Sequence, residues 1–219
     1  MANRPSGQVS YDNRDRVVLV SGGASGIGLA ICESFAESSA RVLCMDIDQT
    51  SAKALPSTIE FIQGNTSREE DCQAAVQRAV ELWGGLDVLV NNAAIQPKAS
   101  YVRLDQLDAE LWQQMVGVNL SGYLFLAKHA ARVMLAQHSG VIVNMASGQA
   151  HRTARQVPSY GPIKAANVLQ SMQWGIEYAR QGSPRVSWNS IGWMPFASAK
   201  LLTTVRGLDG LIRSKPQVV

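Results

Sequence analysis

Three residues in the second half of the chain have the chemistry to move a proton: Ser147, Tyr160 and Lys164. Tyr160 and Lys164 are four apart, so on a helix they share a face. A tyrosine hydroxyl with its ordinary pKa of about 10 is a poor base at neutral pH. An ammonium beside it stabilises the phenolate and lowers that pKa, which makes proton transfer practicable. Tyr-x-x-x-Lys is common on helix surfaces, so its weight here comes from its company. Ser147 follows the apolar run Val141–Met145 and so stands at the carboxyl end of an expected strand, where open α/β sheets place their sites. Its hydroxyl suits it to hold a substrate oxygen.

A second cluster lies near the start. The first apolar run ends in Ser21-Gly22-Gly23-Ala24-Ser25-Gly26-Ile27-Gly28. Glycines at 22, 26 and 28 allow a tight turn, a close approach of backbone to ligand and close packing of helix on strand. The helix that follows aims its free N–H groups at a pyrophosphate. Asp46 ends the next run eighteen residues after Gly28, near the distance at which a carboxylate reaches the ribose of a dinucleotide. A carboxylate accepts from a 2′-hydroxyl and repels a 2′-phosphate. Ile47, not a base, follows Asp46, and the glycine turn has no Lys or Arg. The pattern therefore favours NAD over NADP.

The elements that must position these residues alternate. Short apolar runs at Val17–Val20, Val42–Met45, Ile59–Ile62, Leu86–Val90, Val141–Val143 and Val186–Ile191 suit strands covered on both faces. Helical spacing fills the gaps over 68–83, 109–135 and 159–180. Ser67 with Glu70 three residues on reads as a capping box, and Glu69, Glu70 and Asp71 suit the positive end of the helix dipole. The alternation predicts a Rossmann-type doubly wound parallel sheet in an α/β single domain. Its expected bounds are 15–195, with a flexible segment over 1–14 and a tail over 196–219.

These motifs together resemble the short-chain dehydrogenase/reductase family of the classical type. The match covers residues 15 to about 182: the glycine turn, Asp46, Asn91-Asn92-Ala93-Ala94 after the fourth strand, Asn119 within Val118-Asn119-Leu120, then Ser147, Tyr160 and Lys164. The resemblance implies that Tyr160 is the general acid/base and that Lys164 also binds the nicotinamide ribose. It implies that Ser147 orients the carbonyl or alcohol and that Asn119 helps hold a relay water. The pro-S hydride would move between nicotinamide C4 and a secondary alcohol carbon. The expected NAD contacts are Ser21, Gly22, Ser25, Gly26, Ile27, Gly28, Asp46, Ile47, Asn65, Thr66, Asn92, Ala93, Ala94, Tyr160 and Lys164. Asn65 stands where the family has an adenine-contacting aspartate, and Ala94 where it has a glycine. Pro162 lies inside Tyr160–Lys164 and is harmless only in a helix's first turn. After about residue 182 the chain departs from the family: no proline precedes Gly192, Phe196 stands near the position of the nicotinamide-holding threonine, and the last strand has no counterpart.

Composition excludes several classes. The net charge of +3 is too small to argue for nucleic acid. Residues 1–199 hold sixteen basic and sixteen acidic side chains; the excess lies in Lys200, Arg206, Arg213 and Lys215 against Asp209. Cys32, Cys44 and Cys72 are too far apart for a C-x-x-C pair or a disulfide framework, which fits a reducing compartment. No apolar run is long enough for a membrane span, and the first residues lack a signal-peptide core, so a cytoplasmic location is expected. His129, His138 and His151 form no metal-spaced set, and Trp83, Trp112 and Trp174 read as packing residues. The expected partner is a small alcohol or carbonyl substrate, with a homodimer as assembly. The alternative from another class is a non-catalytic NAD-binding regulatory or interaction protein with an altered C-terminus.

Overall fold

The structure, a computed structural model, describes residues 12–179 and 186–191. Six parallel strands form one sheet in the order β3-β2-β1-β4-β5-β6. They are β1 (Val17–Ser21), β2 (Arg41–Asp46), β3 (Ile59–Gln63), β4 (Val88–Asn91), β5 (Gly140–Met145) and β6 (Val186–Ile191). Each coincides with one of the apolar runs. The helices are α1 (Gly26–Glu37), α2 (Gln49–Ala52), α3 (Glu69–Trp83), α4 (Ala109–Val116), α5 (Gly122–Ala136) and α6 (Tyr160–Ala179). The chain order reverses between β1 and β4, and an open α/β sheet offers its crevice at that switch point.

Strand side chains alternate between two cores. Val18, Val20, Val42, Cys44, Val88, Val90, Val141 and Val143 form one core cluster with Ile31 and Phe35 of α1. Val17, Leu19, Leu43, Met45, Leu89 and Ile142 face α3 and α5. Burial on both faces is why Val17–Val20, Val42–Met45 and Val88–Val90 are apolar throughout rather than alternating. Register is tight across the centre: Val18 pairs with Val42 and Val88, and Val88 with Val141. Lys128 and His129 of α5 share the Glu69 carboxylate of α3 at 2.7 and 3.1 Å. The lysine first, then the histidine, holds that carboxyl below its usual range. Trp83, Trp112 and Trp174 are half-buried, as packing residues are.

Two local expectations need correction, and the condition set on Pro162 is met. The helix expected over 109–135 runs without a break, but not as regular α-helix throughout: one π-helical turn, Gly117–Ser121, joins α4 to α5. Tertiary bonds at Asn119, given below, outcompete regular helix there. Ser67 does not cap α3. Arg68 is the N-cap and makes no side-chain cap bond. The Ser67 hydroxyl and N–H both donate to Asn65 Oδ1, at 2.8 and 3.0 Å. Asp71 Oδ2 meanwhile accepts from the Asn65 N–H at 2.9 Å. Pro162 is harmless, because α6 starts at Tyr160 and the first backbone bond of that turn is Ile163 N–H to the Ser159 carbonyl, 3.2 Å.

No helix among the described residues is long and apolar enough to cross a membrane. The segment expected to be flexible over 1–14, except for residues 12–14, and the tail expected over 196–219, with the departures expected at Gly192 and Phe196, lie outside the described residues.

Two cores on one sheet give an additive expectation. Leu89→Ala and Ile31→Ala, on opposite faces, should each cost about 2–5 kcal/mol. Sharing no packing partners, they should sum in the double variant. Denaturant titration checks this; a double-variant loss well short of the sum would mean that the two faces unfold as coupled packing.

Candidate active site

The glycine turn is shaped by what it must avoid. Gly22 has φ +64°, and a Cβ there would come within 2.8 Å of Ala93 Cα. A Cβ on Gly28 would run into the Gly22 carbonyl, so α1 can pack this closely on the turn only with glycine at 28. Gly26, at φ +54°, has nothing within 4 Å of its Cβ position, so open space lies before the start of α1. Ser25, the N-cap, makes no side-chain cap bond. A helix start with a glycine cradle and a clear approach fits a pyrophosphate.

Two residues fix the turn from below. Asn92 Nδ2 donates to the carbonyls of Ser21 and Gly22 at 3.1 and 3.0 Å. Ser21 Oγ accepts from Asn92 N–H and Ala93 N–H at 3.1 and 3.2 Å. Ser21 is fully buried and lies beneath the turn, outside the cleft. Asp46 is both a wall and a fastener: Oδ2 accepts from Ala24 N–H and Oδ1 from Asp48 N–H, each at 3.0 Å. Each oxygen keeps lone-pair capacity for a further donor. Asn65 has its carbonyl oxygen taken by Ser67.

One open cleft of about 880 Å³ runs across the carboxyl ends of β1, β2, β4 and β5. It gathers Gly22, Ser25, Gly26, Ile27, Gly28, Asp46, Ile47, Asn65, Thr66, Asn92, Ala93, Ala94, Ser147, Tyr160 and Lys164. Of the expected residues, only Ser21 and Asn119 are not on its wall.

At the β5 end, Lys164 is 1 % exposed. Its Nζ donates to the Tyr123 hydroxyl at 3.0 Å and to the Met145 carbonyl at 2.7 Å. It lies 5.7 Å from the Tyr160 ring centre. Burial pushes the Lys164 pKa down to about 7. Tyr160 goes the other way from the expectation of a lowered pKa. Its own burial, then the Tyr101 hydroxyl, raise it above the ordinary value. The ammonium is turned toward Tyr123 and Met145, so desolvation outweighs it.

Ser147 is buried at the end of β5, and its Oγ accepts from Gln149 N–H at 3.2 Å. Asn119 is fully buried in the π turn. Its Oδ1 accepts from Ile95 N–H at 2.7 Å and its Nδ2 donates to the Ile95 carbonyl at 2.8 Å. The turn's irregular backbone exposes the Asn119 carbonyl, which accepts from Asn167 Nδ2 at 2.9 Å. Tyr123 and Asn167 carry this site and are absent from the sequence motifs. The one available signal was Asn91 and Asn144, polar ends of apolar strands, which pair in register and bond at 2.8 Å. Among the described residues, no His, Cys, Asp or Glu group is arranged to hold a metal.

Residues 16–200 match the family model described as short chain dehydrogenase. A probable galactose dehydrogenase, GalD, of Rhizobium meliloti is 37% identical over 169 residues, covering 74% of this chain and 64% of that protein. A galactitol 2-dehydrogenase of Agrobacterium fabrum is 32% identical over 173 residues, covering 77% and 66%. The chain thus spans about two thirds of these relatives' length. The crystal structure of gox2181 superposes with a TM-score of 0.75 at 28% identity, covering 84% of this chain and 72% of that one. Sheet order, cleft and the family match over 16–200 agree, and the chain belongs to the short chain dehydrogenase family.

Proposed function

We propose that the chain is an NAD-dependent oxidoreductase that transfers a hydride between the cofactor and a secondary alcohol carbon of a small hydroxylated compound. The observation that carries this is one cleft with a pyrophosphate-shaped glycine turn and Asp46 at one end and Tyr160, Lys164 and Ser147 at the other. The names of the relatives, a galactose and a galactitol dehydrogenase, support a sugar or polyol as substrate.

Bound NAD supplies the hydride acceptor. Tyr160 takes the proton of the substrate hydroxyl as its carbon gives up the hydride, leaving a carbonyl, and returns it in the reverse direction. Ser147 Oγ, facing the cleft, holds the substrate oxygen. Lys164 supplies the positive charge behind Tyr160 and a donor for the nicotinamide ribose. Asn119 acts through the backbone: it ties the loop after β4 to the π turn, which keeps the cleft's floor in place. Gly22, Ser25, Gly26, Ile27 and Gly28 cradle the pyrophosphate, with Ala93 and Ala94 close by. Asp46 and Ile47 face the adenosine ribose, and Asn65 and Thr66 the adenine.

The same reading includes a homodimer. Leu169, Met172 and Ile176 form one exposed apolar stripe on α6, with Leu124 of α5 also exposed. A second copy of the chain is the occupant proposed for this face. Leu169→Asp combined with Met172→Asp should yield a monomer by analytical ultracentrifugation; an unmodified chain that is already monomeric contradicts the dimer.

Cofactor choice is tested at Asp46. NAD should bind more tightly than NADP. Asp46→Asn keeps an acceptor for the turn but removes the charge that repels a 2′-phosphate, and should narrow the gap by about tenfold. Equal affinities in the unmodified chain, measured by calorimetry, would defeat the NAD assignment.

Catalysis is tested at Tyr160. Tyr160→Phe should abolish NAD reduction across a panel of sugars and polyols while leaving NAD affinity within about twofold, since only a hydroxyl is lost. A near-normal rate would remove Tyr160 from the mechanism. Binding without turnover in the unmodified chain, across the whole panel, would point to a non-catalytic NAD-binding protein instead.

A further inference from the structure

The end of the cleft away from Ser147 is walled by a loop whose own hydrogen bonds decide what it can offer a base. β3 lies on the opposite side of the switch point from β5. Its exit is tied to the end of β2, where Gly64 N–H donates to the Asp46 carbonyl at 2.9 Å. The next three residues, Asn65, Thr66 and Ser67, line the cleft. A dinucleotide with its nicotinamide at Tyr160 and a ribose at Asp46 therefore brings its base to this loop.

Most polar groups of Asn65 already have partners. Its Oδ1 accepts from Ser67 N–H at 3.0 Å and from Ser67 Oγ at 2.8 Å, two donors for an oxygen with two lone pairs. A backbone N–H can only donate, so the atom it meets is the oxygen, and that settles which way the amide is turned. The Asn65 N–H donates to Asp71 Oδ2 at 2.9 Å, and the Asn65 main-chain carbonyl accepts from Arg68 N–H at 2.9 Å. The Thr66 carbonyl accepts from Cys72 Sγ at 3.3 Å. What remains on Asn65 is Nδ2, which makes no hydrogen bond among the described residues. Its two N–H bonds donate and accept nothing.

We propose that Asn65 presents this donor to position 6 of the purine, so that a dinucleotide carrying a 6-oxopurine binds at least as tightly as NAD. Adenine has an amino group at that position. Two donors face to face leave each other unpaired, whereas a 6-carbonyl accepts. Selection by hydrogen bonds works in this way, by leaving the wrong partner's polar groups unmatched. The inference rests on the NAD reading above and deepens it, since it names which base the same cleft takes.

The test is calorimetry on the full chain with two ligands, NAD and nicotinamide hypoxanthine dinucleotide, in which a carbonyl replaces the 6-amino group. In the unmodified chain the hypoxanthine dinucleotide should bind with an affinity equal to that of NAD or higher. Asn65→Asp has the same shape, keeps an acceptor for Ser67 and puts a carboxylate oxygen in place of Nδ2. It should make NAD the tighter ligand by about tenfold. A purely structural change in the loop weakens both ligands alike and leaves their ratio unmoved. NAD bound tenfold more tightly by the unmodified chain overturns the proposal, because the amide then meets the ring nitrogen N1 instead. A ratio that Asn65→Asp does not change also overturns it, and moves the reading of the base to Gln113 and Gln114 on the same cleft wall. If neither dinucleotide binds, the NAD reading falls and this inference with it; NAD binding in the wrong order of preference rejects this inference alone.

Discussion

The buried ammonium of Lys164 is the constraint around which the site is arranged. A charge taken out of water costs several kcal/mol unless it is hydrogen-bonded. Here the Tyr123 hydroxyl and the Met145 carbonyl meet it at 3.0 and 2.7 Å. Those two partners determine much else. Tyr123 must lie inside, so α5 must pack flat on the sheet, and it is among the largest fully buried side chains. Met145 must end its strand with its carbonyl directed at the lysine, which puts Ser147 at the strand's exit. Tyr160, one turn before Lys164, is then fixed at the cleft wall by the same helix.

The parallel sheet makes this arrangement possible. Its strands end together at the crevice beside the switch point, so a turn after β1, a carboxylate after β2 and a loop after β4 converge without any being long. The convergence is fastened rather than left to packing. Asn92 and Ser21 tie the loop after β4 to the glycine turn, and Asp46 ties the end of β2 to the same turn. A side chain that would greet a cofactor thus also holds the backbone that cradles it. This couples affinity to local stability, and substitutions at Asp46 or Asn92 act on both.

What could be read from the sequence was local. Apolar runs showed each described strand, and the spacing of Gly22, Gly26 and Gly28 showed the turn, because each depends on neighbours along the chain. The partners of Lys164 could not be read, since Tyr123 lies 41 residues away and Met145 19. The π turn was hidden for the same reason: helical spacing runs through Gly117–Ser121, and only the bonds of Asn119 to Ile95 and Asn167 break it. At Ser67 a good capping pattern lost to Asn65, whose carbonyl is nearer to hand. The Tyr160 shift shows the limit of reasoning by pairs. Tyrosine beside lysine suggests a stabilised phenolate, but burial of both groups reverses the sign.

That reversal sharpens the function proposed above: burial keeps Tyr160 a neutral phenol in the free chain, and on that proposal the positive ring of oxidised nicotinamide would join the charge of Lys164 in making it a base. The direct measurement is the ionisation of Tyr160 by NMR on chain labelled in tyrosine, assigned by its loss in Tyr160→Phe, with and without saturating NAD in its oxidised form. The account predicts a midpoint above the ordinary tyrosine value of about 10 in the free chain and below it in the complex. A midpoint already below that value in the free chain, or one that the cofactor leaves unmoved, would contradict it.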